Sequence, residues 1–176
     1  MNLIKYPNVF RALKRGGVIL ICLFLFTPIS AVELEITFEL PEIKTSKYRR
    51  PFVAVWLERK SDRSDNQTVA VWYDDKKWLK DIRKWWRKAG RYQDSLDGFS
   101  GATRPAGRYT VTVSLDASQE GADNEYLVYF EAVREHGNRS LLKQTINLSK
   151  TFPQTYEIKQ GQEIGPGLII VKELEE

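Results

Sequence analysis

Phe52-Val53-Ala54-Val55-Trp56-Leu57 is continuously apolar and rich in β-branched and aromatic residues, and Thr68-Val69-Ala70-Val71-Trp72-Tyr73 repeats the pattern after the polar stretch from Lys60 to Gln67. Runs of this length bounded by polar segments read as strands, here a pair joined by a solvated connection. Upstream, Leu34, Ile36, Phe38 and Leu40 alternate with Glu35, Thr37 and Glu39 until Pro41, the period of two of a strand with one buried face. Downstream, Tyr109, Val111, Val113 and Leu115 alternate with Thr110, Thr112 and Ser114. Tyr126 to Arg134, Leu141 to Leu148, Gln154 to Ile158 and Leu168 to Val171 supply further strands, separated by clusters of Gly, Asn, Ser and Pro.

The period changes once. From Lys76 to Ala89, Trp78, Ile82, Trp85, Trp86 and Ala89 recur at helical spacing, with Asp74 or Asp75 as the cap and Gly90 as the stop. The other face of this helix carries Lys76, Lys77, Lys80, Arg83, Lys84, Arg87 and Lys88, so it is amphipathic and basic. About eight short strands with one helix predict a mainly β protein, an antiparallel β-sandwich of immunoglobulin-like outline with the helix in a crossover.

The 176 residues suit a single domain. The first 31 carry Lys5, Arg11, Lys14 and Arg15 and no acid, and these precede the apolar run from Val18 to Phe26. That is the layout of a signal peptide, too short for a spanning helix, with cleavage expected after Ala31. The expected organisation is therefore a leader over 1–31 and one domain over 32–176, exported to a periplasm. Removing the four leader cations leaves 23 basic against 23 acidic residues, so global charge gives no reason to expect a nucleic-acid partner. The charge is nevertheless uneven. Between Lys44 and Arg91 lie 15 basic and 6 acidic residues, which suits a solvated helix face, an acidic partner or contact with an anionic membrane surface through the basic helix.

Cys22, in the leader, is the only cysteine, and His136 the only histidine. A mature chain of this kind makes no disulfide and has no thiolate metal site or thiol nucleophile, and no metal site is expected. A Ser-His-Asp enzyme would have to rely on His136 alone, and no catalytic constellation is visible. An independent hydrolase is therefore not the expectation.

The segment before the Tyr109 strand reads Asp97-Gly98-Phe99-Ser100-Gly101-Ala102-Thr103-Arg104-Pro105-Ala106-Gly107. Its composition alone is that of a tight connection. However, Asp-x-x-Ser/Thr-Gly-Ala-Thr/Ser resembles the attachment sequence of proteins that carry FMN in phosphoester linkage to threonine, installed by an extracytoplasmic flavin transferase. The resemblance implies that Thr103 supplies the oxygen bonded to the FMN phosphate. It also implies that Asp97, Ser100, Gly101 and Ala102 are read by the transferase. Gly101 would tolerate the turn that presents Thr103, and Arg104 would offset the phosphate charge.

Tyr48 to Trp56, Lys77-Trp78-Leu79 with Trp85-Trp86-Arg87, Ser100 to Gly107, and Glu131 to Gly137 together resemble the predicted periplasmic proteins of the DUF2271 family. The resemblance implies company with PepSY-type membrane proteins and flavin transferases, and so a part in extracytoplasmic electron transfer or iron-linked redox, as a redox carrier more than a substrate-transforming enzyme. Trp56 and Trp72, in apolar strands, read as core. Trp78, Trp85 and Trp86 exceed what one narrow stripe can bury, and with His136 they are the candidates for contact with the flavin ring. His136 also reads as a structural residue at a strand end. The competing reading is a cofactor-free periplasmic binding or scaffold protein that uses the Trp-rich basic face.

Overall fold

The computed structural model describes residues 31–116, 124–148 and 151–174. The expected leader, apart from Ala31, lies outside the described residues. Two sheets pack face to face. One has the order β5-β1-β9-β8, built from β1 (Ala31–Leu40), β5 (Gly107–Asp116), β8 (Gln154–Ile158) and β9 (Gly167–Glu173). The other has the order β4-β3-β2-β6-β7, built from β2 (Phe52–Arg59), β3 (Asn66–Trp72), β4 (Ser100–Gly101), β6 (Glu125–Val133) and β7 (Arg139–Asn147). All neighbours are antiparallel except β3 and β4, which run parallel because the crossover from Tyr73 to Phe99 returns the chain beside β3.

The two strand patterns in the sequence have distinct causes in this arrangement. In β1, Val32, Leu34, Ile36, Phe38 and Leu40 enter the core between the sheets, while the residues between them stay half-exposed, which is the alternation of a one-faced strand. The second sheet is covered on both faces. Val53, Val55 and Leu57 face the intersheet core, and Phe52, Ala54 and Trp56 face a second core beneath the crossover, so the run from Phe52 to Leu57 is apolar throughout. A bulge places Val69 and Ala70 both towards the intersheet core, after which Val71 meets the crossover and Trp72 the core. Trp72 stacks on Phe38, and Trp56 stacks on Tyr129 with centroids 4.8 Å apart.

The expected mainly β sandwich with a helical segment in a crossover is what the chain forms, but the helix is not continuous. A 3-10 turn over Lys76–Asp81 stops at Ile82, whose ψ of 70° is not helical, and a short helix α1 follows over Arg83–Lys88. Asp75 is the cap: its side chain accepts the Lys77 amide, which holds its carboxyl below the ordinary value. The break has a specific cause. The buried carboxylate of Glu131, on the outward face of β6, accepts the Lys84 amide at 3.0 Å and the Trp85 amide at 2.9 Å, and so caps a new helix start. Leu79, Ile82, Trp85 and Ala89 are the buried residues of this layer, while Trp78 turns outward. The helix stops at Ala89, whose φ of -128° is not helical, and the expected stop Gly90 instead opens a 3-10 turn over Gly90–Tyr92; it is glycine because a Cβ there would lie 2.7 Å from the Trp85 ring.

Candidate functional site

The strand register gathers four strand ends at one edge of the sandwich. Phe52 at the start of β2 pairs with Val133 at the end of β6, Val53 pairs with Trp72 at the end of β3, and Trp72 pairs with Gly101 of β4. The segments that enter or leave at these points converge there. Tyr48, Arg49, Arg50, Phe52, Asp74, Trp78, Thr103, Pro105 and Glu135 line a cleft of about 520 Å³, within the range of small-molecule and cofactor sites. A second cleft of about 330 Å³ shares Phe52, Trp78 and Glu135 with it and continues towards Asp81, Arg83 and Val133. A cleft of about 680 Å³ is lined by Glu33, Phe152, Pro153, Lys172, Glu173 and Leu174 near the other end of β1, and it gathers none of the motif residues.

The motif is pinned rather than looped. The Phe99 carbonyl accepts the Val71 amide at 2.8 Å and the Gly101 carbonyl accepts the Tyr73 amide at 2.9 Å, so Ser100-Gly101 forms the outermost strand of the second sheet. Asp97, Ser100 and Ala102 are exposed along this edge, and Thr103 is half-buried at the cleft. The turn expected at Gly101 is instead made at Gly98, whose φ of +87° lies in the region that favours glycine. A Cβ at Gly101 would stand 3.4 Å from Trp72 Cδ1, an ordinary contact, so packing does not require glycine there.

Arg104 packs differently from the expectation that it faces a phosphate. Its guanidinium lies 4.1 Å from the Trp72 ring centroid and 5.1 Å from that of Tyr109, and the Tyr109 hydroxyl donates to the Pro105 carbonyl at 2.8 Å. Arg104 therefore fixes the chain just after Thr103, and the cations that line the cleft are Arg49 and Arg50. Arg49 reaches Glu135 at only 3.9 Å with both side chains exposed, a weak pair that leaves its charge available. The Tyr48 hydroxyl oxygen is buried and has no hydrogen-bond partner among the described residues.

Of the aromatic candidates, only Trp78 lines the cleft, 37% exposed. Trp85 is fully buried, its indole Nε1 donating to Thr68 Oγ1 at 3.0 Å, so the structure does not bring it to a ligand. Trp86 is half-buried and lines a separate basic cleft with Lys80, Arg83, Arg87 and Arg139. His136 sits at φ 56° on the β6–β7 turn, exposed, with Nε2 3.6 Å from Glu135 Oε1, and lines neither cleft near Thr103. The sequence alone gives Tyr48, Arg49, Arg50 and Phe52 no role at a site. Their signal was an Arg-Arg pair beside a Tyr just ahead of the most apolar strand, and only the register shows that this point lies beside Thr103.

A family model described as "Predicted periplasmic protein (DUF2271)" matches residues 33–166, from β1 to the segment before β9. No curated protein and no solved structure matches the chain.

Proposed function

This chain belongs to the DUF2271 family of predicted periplasmic proteins, and from that premise we propose that it is an exported carrier of FMN, bound covalently as a phosphoester of Thr103, that exchanges electrons with a PepSY-type membrane partner. One observation carries the reading: Thr103, the last residue of an intact attachment motif, opens onto a cleft that combines two arginines and two aromatic walls. These residues fit the group. Arg49 and Arg50 would offset the charge of a phosphate, and Phe52 and Trp78 would cover an aromatic ring from water. When bound, a flavin supplies exchange of one or two electrons.

The motif's place on a sheet edge also suits its modification. Exposed Asp97, Ser100 and Ala102 present side chains, and among the described residues no strand pairs with the outer edge of β4, which suits pairing with a flavin transferase. Protein exported from cells that hold an active flavin transferase is expected to stay yellow after denaturation and removal of small molecules. Its flavin absorbance should bleach under dithionite and return in air. Colourless protein from such cells would overturn the reading and leave a cofactor-free binding protein, for which the basic crossover is the supporting observation.

A further inference from the structure

The crossover covers the outer face of the second sheet with Leu79, Ile82, Trp85 and Ala89, with Trp86 half-buried beside them, and Lys76, Lys77, Lys80, Arg83, Arg87 and Arg91 are exposed on its outer side. From Lys76 to Tyr92 it carries eight basic residues and one acid, Asp81. Some of these charges are committed: Lys77 pairs with Asp75 at 3.0 Å and Lys88 with Glu58 at 3.0 Å. Lys80, Arg83 and Arg87 have no acidic partner among the described residues, and they surround the cleft of about 360 Å³ beside Trp86. The two exposed large aromatics here, Trp78 and Tyr92, each lie beneath a cation, Lys77 at 5.2 Å and Arg91 at 5.4 Å.

We propose that this strip docks the protein on the surface of an anionic phospholipid bilayer, with lipid phosphates taken up between Lys80, Arg83 and Arg87 and with Tyr92 at headgroup depth. The chemistry separates a bilayer from an acidic protein. A protein interface needs a desolvated apolar centre depleted of charge. Here cations are spread along the whole strip, and the exposed aromatics are isolated and individually paired with charge, the combination found at the headgroup layer. The docking does not depend on a flavin. Its consequence does rest on the reading above: Trp78 belongs to both the strip and the Thr103 cleft, so a docked molecule would hold that cleft beside the membrane.

The test is sedimentation with vesicles of phosphatidylglycerol mixed into phosphatidylcholine, and with phosphatidylcholine alone. Exported protein carrying Thr103→Ala is used throughout, so that failure here leaves the flavin reading untouched. The parent is expected to bind the anionic vesicles only and to be released at high salt. Lys80→Glu with Arg87→Glu should weaken binding by about tenfold or more, whereas Lys159→Glu with Lys172→Glu, with the same change in net charge, should bind as the parent does. Lys80→Gln with Arg87→Gln, expected to lose less, serves if the charge reversal melts early. The proposal is overturned by absent binding, by equal binding to neutral vesicles, or by equal loss in both reversed pairs. Retention on a polyglutamate support without vesicle binding would assign the strip to an acidic protein and overturn it too.

Discussion

Glu131→Ala is expected to destabilise the protein by about 3 kcal/mol, read as a lowered urea midpoint. Glu131 is fully buried on the outward face of β6, and its carboxylate is the shared acceptor for the Lys84 and Trp85 amides and for Arg139 Nε at 2.7 Å. An alanine there strands the Trp85 amide in a buried site and leaves Arg139, a third exposed, without its anion. Glu131→Gln keeps an acceptor oxygen and loses only the charge, so it should cost less than half as much. The loss should appear first in the crossover, as an early change in tryptophan emission from Trp85 and Trp86. Equal destabilisation by the two substitutions would mean that charge, rather than capping, holds the crossover on the sheet.

Arg134→Met should cost about 3–5 kcal/mol. The guanidinium meets Glu163 through two hydrogen bonds of 3.0 Å, and the two side chains are only 6% and 1% exposed. Glu163 also accepts the Asn138 amide at 2.9 Å, and its own amide donates to Ser140 Oγ at 2.8 Å. This network ties the β6–β7 turn, which carries Glu135 and His136, to the segment before β9. Removing one charge leaves the other buried and unpaired, which accounts for the size of the effect. Adding Glu163→Leu to Arg134→Met should restore part of the loss, because two apolar side chains no longer strand a charge. A double variant as unstable as the single one would show that packing against Gly137, where a Cβ would lie 2.5 Å from Arg134 Cζ, matters more than the pair.

Much of the fold is legible in residue order because the burial pattern is local. The alternation in β1 and the unbroken runs in β2 and β3 differ because one sheet has one covered face and the other two. What is not legible depends on partners distant in sequence. The helix spacing from Lys76 to Ala89 is real, but its interruption at Ile82 is set by Glu131, a residue 46 positions from Trp85 that the strand pattern alone would place as an ordinary polar position. The same holds at the cleft. The motif around Thr103 is readable as a string, and Trp78 as an aromatic in excess of one buried stripe. Placing Arg49, Arg50 and Tyr48 beside Thr103 requires the pairing of β2 with β3 and of β3 with β4. Trp85 illustrates the converse: its spacing admits a ligand contact, while its burial under Gly90 and its bond to Thr68 assign it to the core.

The most direct test of covalent flavin on Thr103 is the intact mass of the exported protein, made alongside an active flavin transferase, compared with that of Thr103→Ala made in the same way. The substitution removes a hydroxyl from a half-buried position and should change stability by no more than about 1 kcal/mol, so both proteins should be recovered folded. The account predicts a mass higher by one FMN less one water for the parent and the bare chain mass for the variant. The bare chain mass for both, or the same increment on both, would contradict it.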